Sequence, residues 1–333
     1  MRILVEMSGR LGNQFFRYAI GRKIQYLYER YNPELILHFS KNKFAKTNDF
    51  WGYQLEDFAI DDSVKIDVSD SDWKNYGDFF QRILLLLYIP VRRLLKNRYR
   101  LMYLVQSRFD SLLVRNGLYL NAIGYTPICV RFKNGNSLPR KTIIVNGNYE
   151  APQFFSEIRH VLLKEFTPKV HFSNEVTKYK FENLLETILR TNSICVSVRR
   201  GDFLEEKFEK KYNVCTKEYF LSAIAKMQEL IEDARFVFFS DDIEFVKKEF
   251  TDLKNVLFES DDNTVAQKVK LMTSCKHFII SNSTFSWWMQ YLSEYENKKV
   301  IAPSKWYKNC GNFKVPLLED SFILIDSDGN IKS

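Results

Sequence analysis

The sequence predicts an α/β fold built on parallel sheets, from three observations. Its 333 residues, 45% hydrophobic and 27% charged, suit one large or two medium globular domains. Between about residues 193 and 303, short β-rich runs alternate with helical patterns, the sign of βαβ units with right-handed crossovers and a sheet covered on both faces. The chain also opens on a strand, RILVE, that passes through a glycine-bearing turn into a long helical pattern.

In chain order, the first half reads as a strand at 2–6, a helix from about Leu11 to Glu29, a strand at 34–38, an unassigned stretch to 78 and a basic helical region at 80–104. A strand at 141–146 and a helix starting near Ala151 follow. The second half is more regular. SICVSV (193–198) leads to a helix over about 216–233, RFVFFS (235–240) to a helix opening at Asp241, and NVLFE (255–259) to one near 263–274. KHFIIS (276–281) then leads to one near 284–295, and KKVIAP (298–303) is a last strand. EFTPKVHFSNEV interrupts the pattern, so we expect domains over 1–170 and 171–333, the first carrying a basic helical insertion near 79–109.

Charge is concentrated. The window 79–109 holds seven basic residues and no acidic one, and since the chain totals +8, everything outside the window sums to +1. Leu-rich spacing there suits either an amphipathic helix pair on anionic lipid or a core helix with a solvated basic face. The excess charge is one Leu-rich segment and not an aromatic-lined basic groove of the kind a nucleic-acid stacking platform uses, so nucleic acid is not expected as a partner. The longest apolar run, ILLLLYI, is far short of a membrane span. The MRILVEM start reads as a strand without a secretory signal, and five scattered cysteines form no C-x-x-C pair. A cytoplasmic enzyme is the expectation, peripheral on the inner face of the plasma membrane if the basic helices bind lipid.

Ligands of open parallel sheets bind beyond the carboxyl ends of the strands. Three strands here end in polar clusters: Arg199-Arg200-Gly201-Asp202, Ser240-Asp241-Asp242, and Ser281 to Ser286. Paired guanidiniums match phosphate oxygens, a helix start rich in Ser and Thr adds donors, and carboxylates suit guanine or sugar hydroxyls. The set fits a nucleotide diphosphate. Each cluster also has a structural reading: Asp241 and Asp242 as first-turn acids, Ser283 and Thr284 as caps, and the arginines paired with Glu205 and Glu206. In GRLGNQFFRYA (9–19), Gly9 and Gly12 permit a tight turn, while Asn13 and Gln14 at the helix start can donate amide hydrogens. The glycine spacing is that of neither a dinucleotide fingerprint nor a P-loop.

Together GRLGNQFFRYA, SVRRGD, FFSDD and ISNSTFSWW stand in order over residues 9–288 and resemble the inverting α-1,2-fucosyltransferases of glycosyltransferase family eleven, bacterial type. The family pattern H-x-R-R-G-D has Ser197 here in place of its histidine. The resemblance implies a GT-B-like architecture of two Rossmann-like domains facing a cleft, with a C-terminal domain that binds GDP-β-L-fucose and an N-terminal domain on the acceptor side. It implies transfer of L-fucose to O2 of a galactoside-terminated oligosaccharide, lipid-linked or free, in surface polysaccharide (O-antigen) synthesis. The resemblance implies no cofactor and no divalent metal, which agrees with the ability of Arg199 and Arg200 to neutralise the leaving diphosphate. Asp202 is the expected base, with Glu205 and Glu206 as alternatives. Gly12, Asn13, Gln14, Ser240, Asp241, Asp242, Ser281, Asn282, Ser283, Thr284 and Ser286 are the expected donor-binding residues. The D-x-D pairs at 70–72 and 326–328 lie in turns and are not expected to hold metal.

Overall fold

The computed structural model describes residues 1–40, 52–95, 99–120, 140–201, 206–308 and 315–332. The chain divides into two units, Met1–Phe166 and Thr167–Ser333.

In the first unit, β1 (Arg2–Glu6) is buried from Ile3 onward. It lies at the centre of a five-stranded sheet with β2 (Glu34–Ser40), β3 (Lys65–Ser69), β4 (Leu118–Leu120) and β5 (Thr142–Asn146), in the order β3-β2-β1-β5-β4. All four pairings are parallel. α1 (Leu11–Leu27) is buried over most of its circumference. Gly21 lets it sit tightly on the sheet, since a Cβ there would come within 2.7 Å of Val5 Cγ2.

β3 and β4 were not expected. β3, KIDVS, is a largely exposed edge strand, and β4 has three residues, too few to show a period. The helix expected near Ala151 is two 3₁₀ turns, Pro152–Phe154 and Ser156–Ile158, before α4 (Arg159–Glu165). Phe155, at φ −141°, breaks the helical run between them. The basic region is two helices, α2 (Phe79–Leu94) and α3 (Tyr99–Arg115). Asp78 and Gln81 form a capping box at the start of α2. The Gln81 amide also donates to the carbonyls of Asn116 and Thr142, tying α2 to the end of α3 and to β5.

The second unit opens with α5 (Glu175–Arg190), capped by Asn174. Its sheet comprises β6 (Asn192–Val198), β7 (Ala234–Ser240), β8 (Val256–Phe258), β9 (His277–Ile279), β10 (Val300–Pro303), β11 (Ile323–Ile325) and β12 (Ile331–Lys332). The order is β12-β11-β10-β9-β6-β7-β8, with only β12 antiparallel. Connecting helices are α6 (Glu206–Tyr212), α7 (Lys217–Leu230), α8 (Ile243–Glu249), α9 (Val265–Thr273) and α10 (Thr284–Leu292). α7 and α8 pack Tyr219, Ala223, Met227 and Val246 against Ile194, Val196, Phe236 and Phe238 of the sheet. The helix expected at Asp241 begins two residues later, because Asp242 is its N-cap and accepts from the Phe245 N–H. α6, β11 and β12 were not expected. α6 is short and highly charged, and the two strands have three and two residues. Trp287 and Trp288 have no exposed surface.

Candidate donor-binding site

β9, β6 and β7 are adjacent and parallel, so the polar clusters that follow them emerge along one edge of one sheet. Arg199 Nη1 lies 2.6 Å from Asp241 Oδ2, and Arg200 Nε lies 3.3 Å from Asp242 Oδ2. The Arg200 backbone N–H donates to Asp241 Oδ1 at 2.9 Å. The Arg200 guanidinium sits 3.2 Å from the Phe245 ring centroid, a cation–π contact at the start of α8. The arginines therefore meet the acids of the next strand end; of the structural partners expected for them, Glu205 and the side chain of Glu206 lie outside the described residues. Both arginine side chains keep about a fifth of their surface exposed, 20% and 23%. The pairs are therefore partly buried. Their consequence is geometric: carboxylates fix the arginine forks at the strand ends. Among the described residues Arg200 pairs through Nε alone, which leaves its Nη1–Nη2 edge as the part suited to an anion.

Gly201 makes the approach feasible. A Cβ there would lie 2.3 Å from Asp241 Oδ2, so any larger residue would displace the carboxylate.

Behind Ser240 stands a pair that the motif reading missed. Glu259 Oε1 accepts from the Ser240 N–H at 2.9 Å and from Lys268 Nζ at 3.0 Å, while Lys268 also donates to the Ser240 carbonyl at 3.1 Å. Ser240 Oγ accepts from the Asp242 N–H. Glu259 is almost fully buried, which pushes its carboxyl up despite the lysine beside it. Its signal in the sequence was a carboxylate closing the apolar run NVLFE at the same sheet edge.

The third cluster divides by burial. Ser197 Oγ lies 2.6 Å from Ser286 Oγ, which is 3.0 Å from Ser281 Oγ, a buried chain of hydroxyls linking β6 to α10. Asn282 donates to the carbonyls of Tyr212 and Trp306 at 2.8 and 3.0 Å. Ser281, Asn282 and Ser286 thus brace the loop from inside. Ser283, at the N-cap of α10, and Thr284 are partly exposed and form the accessible part of the helix start. His277 is buried, accepts from the Lys299 N–H through Nδ1, and is pushed down to about 4 by burial.

The glycine motif belongs to the first unit. Gly9 adopts φ +80°, the left-handed region where glycine is favoured. Gly12 is buried and Asn13 half-buried at the start of α1. Gln14, fully buried, donates to the carbonyls of Gly9 and Gly52 and accepts from the Gln54 N–H, so its amide holds two loops. One turn on, Arg17 is buried against Glu6 at 2.6 Å and Asn148 at 2.8 Å, and burial lowers its guanidinium to about 10.

Asp202 and Glu205 lie outside the described residues, and Glu206 opens α6. Among the described residues no group of three or more His, Cys, Asp or Glu could hold a metal ion. Asp72 caps a 3₁₀ turn through the Lys74 N–H, and Asp326 binds Lys332 and the N–H groups of Asp328 and Asn330, which pull its carboxyl down to about 2. Among the described residues, no helix is long and apolar enough to cross a membrane.

Over 314 residues the chain is 26% identical to an alpha-1,2-colitosyltransferase of Escherichia coli, covering 92% of each protein. It is also 26% identical to the O-antigen biosynthesis glycosyltransferase WbnK of Escherichia coli, covering 95% of this chain and 98% of the relative. A solved structure of NodZ alpha-1,6-fucosyltransferase, soaked with GDP-fucose, aligns with TM-score 0.48 at 12% identity, over 87% of this chain and 92% of that one. The model of the family described as Glycosyl transferase family 11 matches residues 135–314. That span contains every strand-end cluster of the second unit and more than half of the 333 residues, and the chain belongs to glycosyl transferase family 11.

Proposed function

We propose that this glycosyltransferase moves L-fucose from GDP-β-L-fucose to O2 of a galactoside, inverting the anomeric carbon without a divalent metal. The observation that carries the reading is the guanidinium pair, Arg199 and Arg200, held by Asp241 and Asp242 at the carboxyl edge of a parallel sheet beside the start of α10. An acceptor hydroxyl attacks C1 on the face opposite GDP, the C1–O bond to the diphosphate breaks, and the hydroxyl proton passes to a base. Negative charge grows on the leaving diphosphate, where fixed donors contribute about 10²–10³ each in rate. Arg199, Arg200 and the Ser283–Thr284 helix start are those donors, and the arginines supply the positive charge that a metal ion supplies in other transferases. Asp202 is the proposed base, with Glu205 and Glu206 next in the chain.

Names of relatives that include O-antigen synthesis and a colitosyltransferase support a surface polysaccharide as the product and favour colitose as a second donor sugar; a cytoplasmic setting and a lipid-linked acceptor are part of the proposal. The test is incubation in EDTA with GDP-fucose or GDP-colitose and a panel of galactosides, followed by linkage analysis. α-1,2-Fucosylated product is expected, together with a loss of kcat of about 10² or more in Arg199→Ala. No transfer in EDTA, or an Arg199→Ala enzyme within about threefold of wild type, overturns the reading.

A further inference from the structure

α2 carries two apolar stripes on opposite sides. Leu84, Leu85 and Tyr88 are buried in the first unit, the ordinary inner face of an amphipathic helix. The outer face ought to be polar, yet it carries Phe79, Ile83, Leu86, Leu87, Val91 and Leu94, spaced one helical turn apart. Phe79 and Leu94 are each 81% exposed, and Leu86 and Leu87 are 73% and 67% exposed. On α3, Leu101, Phe109 and Leu112 are likewise exposed, with Arg108 among them. Scattered exposed leucines are ordinary, but a continuous stripe along sixteen helical residues marks a surface that something covers.

We propose that this outer face of α2 and α3 docks the first unit on an anionic lipid surface. Charge identifies the occupant. The window 79–109 contains no acid, and Arg93 and Arg108 stand exposed beside the apolar stripes. Arg92 points the other way, toward Asn146, so the basic rim does not include it. A second copy meeting this face about a twofold axis would set one basic rim against another, whereas anionic headgroups complement it while the acyl region takes up the leucines. At about 1.5 Å per residue α2 spans roughly 24 Å, short of a bilayer core, so it lies in the interface and does not cross. An enzyme so held meets a lipid-carried acceptor in two dimensions, but lipid binding itself needs no sugar nucleotide.

The full chain is tested by flotation with vesicles of phosphatidylcholine alone or with one third phosphatidylglycerol. Wild type is expected to bind the anionic vesicles at least about tenfold more tightly, and to lose that preference at high salt. The exposed double variant Leu86→Gln/Leu87→Gln should lose about tenfold or more on both vesicles. Arg93→Glu/Arg108→Glu should lose only the anionic preference. Both should melt with wild type and keep turnover on a soluble acceptor, which separates failure of this surface from failure of the transferase reading. Absence of wild-type binding, or binding unchanged in Leu86→Gln/Leu87→Gln, overturns lipid docking. A wild-type dimer in sedimentation velocity that the leucine variant dissolves overturns it in favour of a second copy.

Discussion

Asp241 reaches both arginines at once, taking Arg199 Nη1 on Oδ2 at 2.6 Å and the Arg200 N–H on Oδ1 at 2.9 Å. It can do so because Gly201 presents no side chain. Gly201→Ala would place a methyl 2.3 Å from Oδ2. The Asp241 carboxylate must then swing away and release both contacts. Because the pairs are partly exposed, water replaces part of the lost contact, while the forks lose their orientation. KM for GDP-fucose should rise about tenfold or more, the scale of one charge-assisted hydrogen bond, with the melting temperature nearly unchanged. A variant with wild-type KM would show that Asp241 does not set the arginine geometry.

Ser197 occupies the position where the family pattern has histidine, and its hydroxyl is spent on Ser286 inside the protein. Ser197→Ala should cost about 0.5–1.5 kcal/mol of stability, one net hydrogen bond, and leave kcat within about threefold. Restoring the family residue with Ser197→His forces an imidazole beside Ser286 and should cost about 1–3 kcal/mol through overpacking. A large loss of kcat in the alanine variant, with stability intact, would instead give the hydroxyl a direct part in the chemistry.

The arginine clusters could be read from the sequence because an apolar strand in a parallel sheet has no use for two guanidiniums at its exit. Adjacency of the three clusters followed from the strand–helix alternation. Their pairing did not, since only the register of two adjacent strands brings Arg199 to Asp241. Nor did burial within ISNSTFS: alternate serines of one polar run turn inward to the Ser197 chain, and nothing in the letters marks which. Glu259 and Lys268 were invisible as a pair for the same reason, lying on a strand end and a helix joined only by the fold. In the first unit, β3 was hidden because its exposed edge position demands no apolar alternation.

Asn282 heads a glycosylation sequon, Asn282-Ser283-Thr284, yet its amide is buried and donates to the carbonyls of Tyr212 and Trp306. Asn282→Ala should therefore act on folding: each orphaned buried carbonyl costs about 1–3 kcal/mol. The melting transition should fall by several degrees, with activity lost in proportion to the unfolded fraction. Asn282→Asp, which has no donor for either carbonyl, should be as severe. A thermal shift assay that leaves either variant at the wild-type midpoint would contradict the bracing role.

Asp110 on α3 is 4% exposed, and its Oδ1 has no hydrogen-bond partner among the described residues. Burial raises its carboxyl to about 7 from the usual value near 4. Below about pH 4 the group is protonated in both folded and unfolded chains, and its folded form carries no penalty. Between about pH 4 and 7 the unfolded chain ionises while the folded one does not, so stability falls as pH rises, and above 7 the full cost is present. Three pH units correspond to an upper limit of about 4 kcal/mol, reduced by any water that reaches the site. Asp110→Asn removes the ionisation while keeping the shape. Its melting temperature should match wild type near pH 4 and exceed it by several degrees near pH 8, as read by calorimetry across that range. A constant difference at both pH values would mean that Asp110 ionises freely in the folded protein, with its carboxylate paired or hydrated.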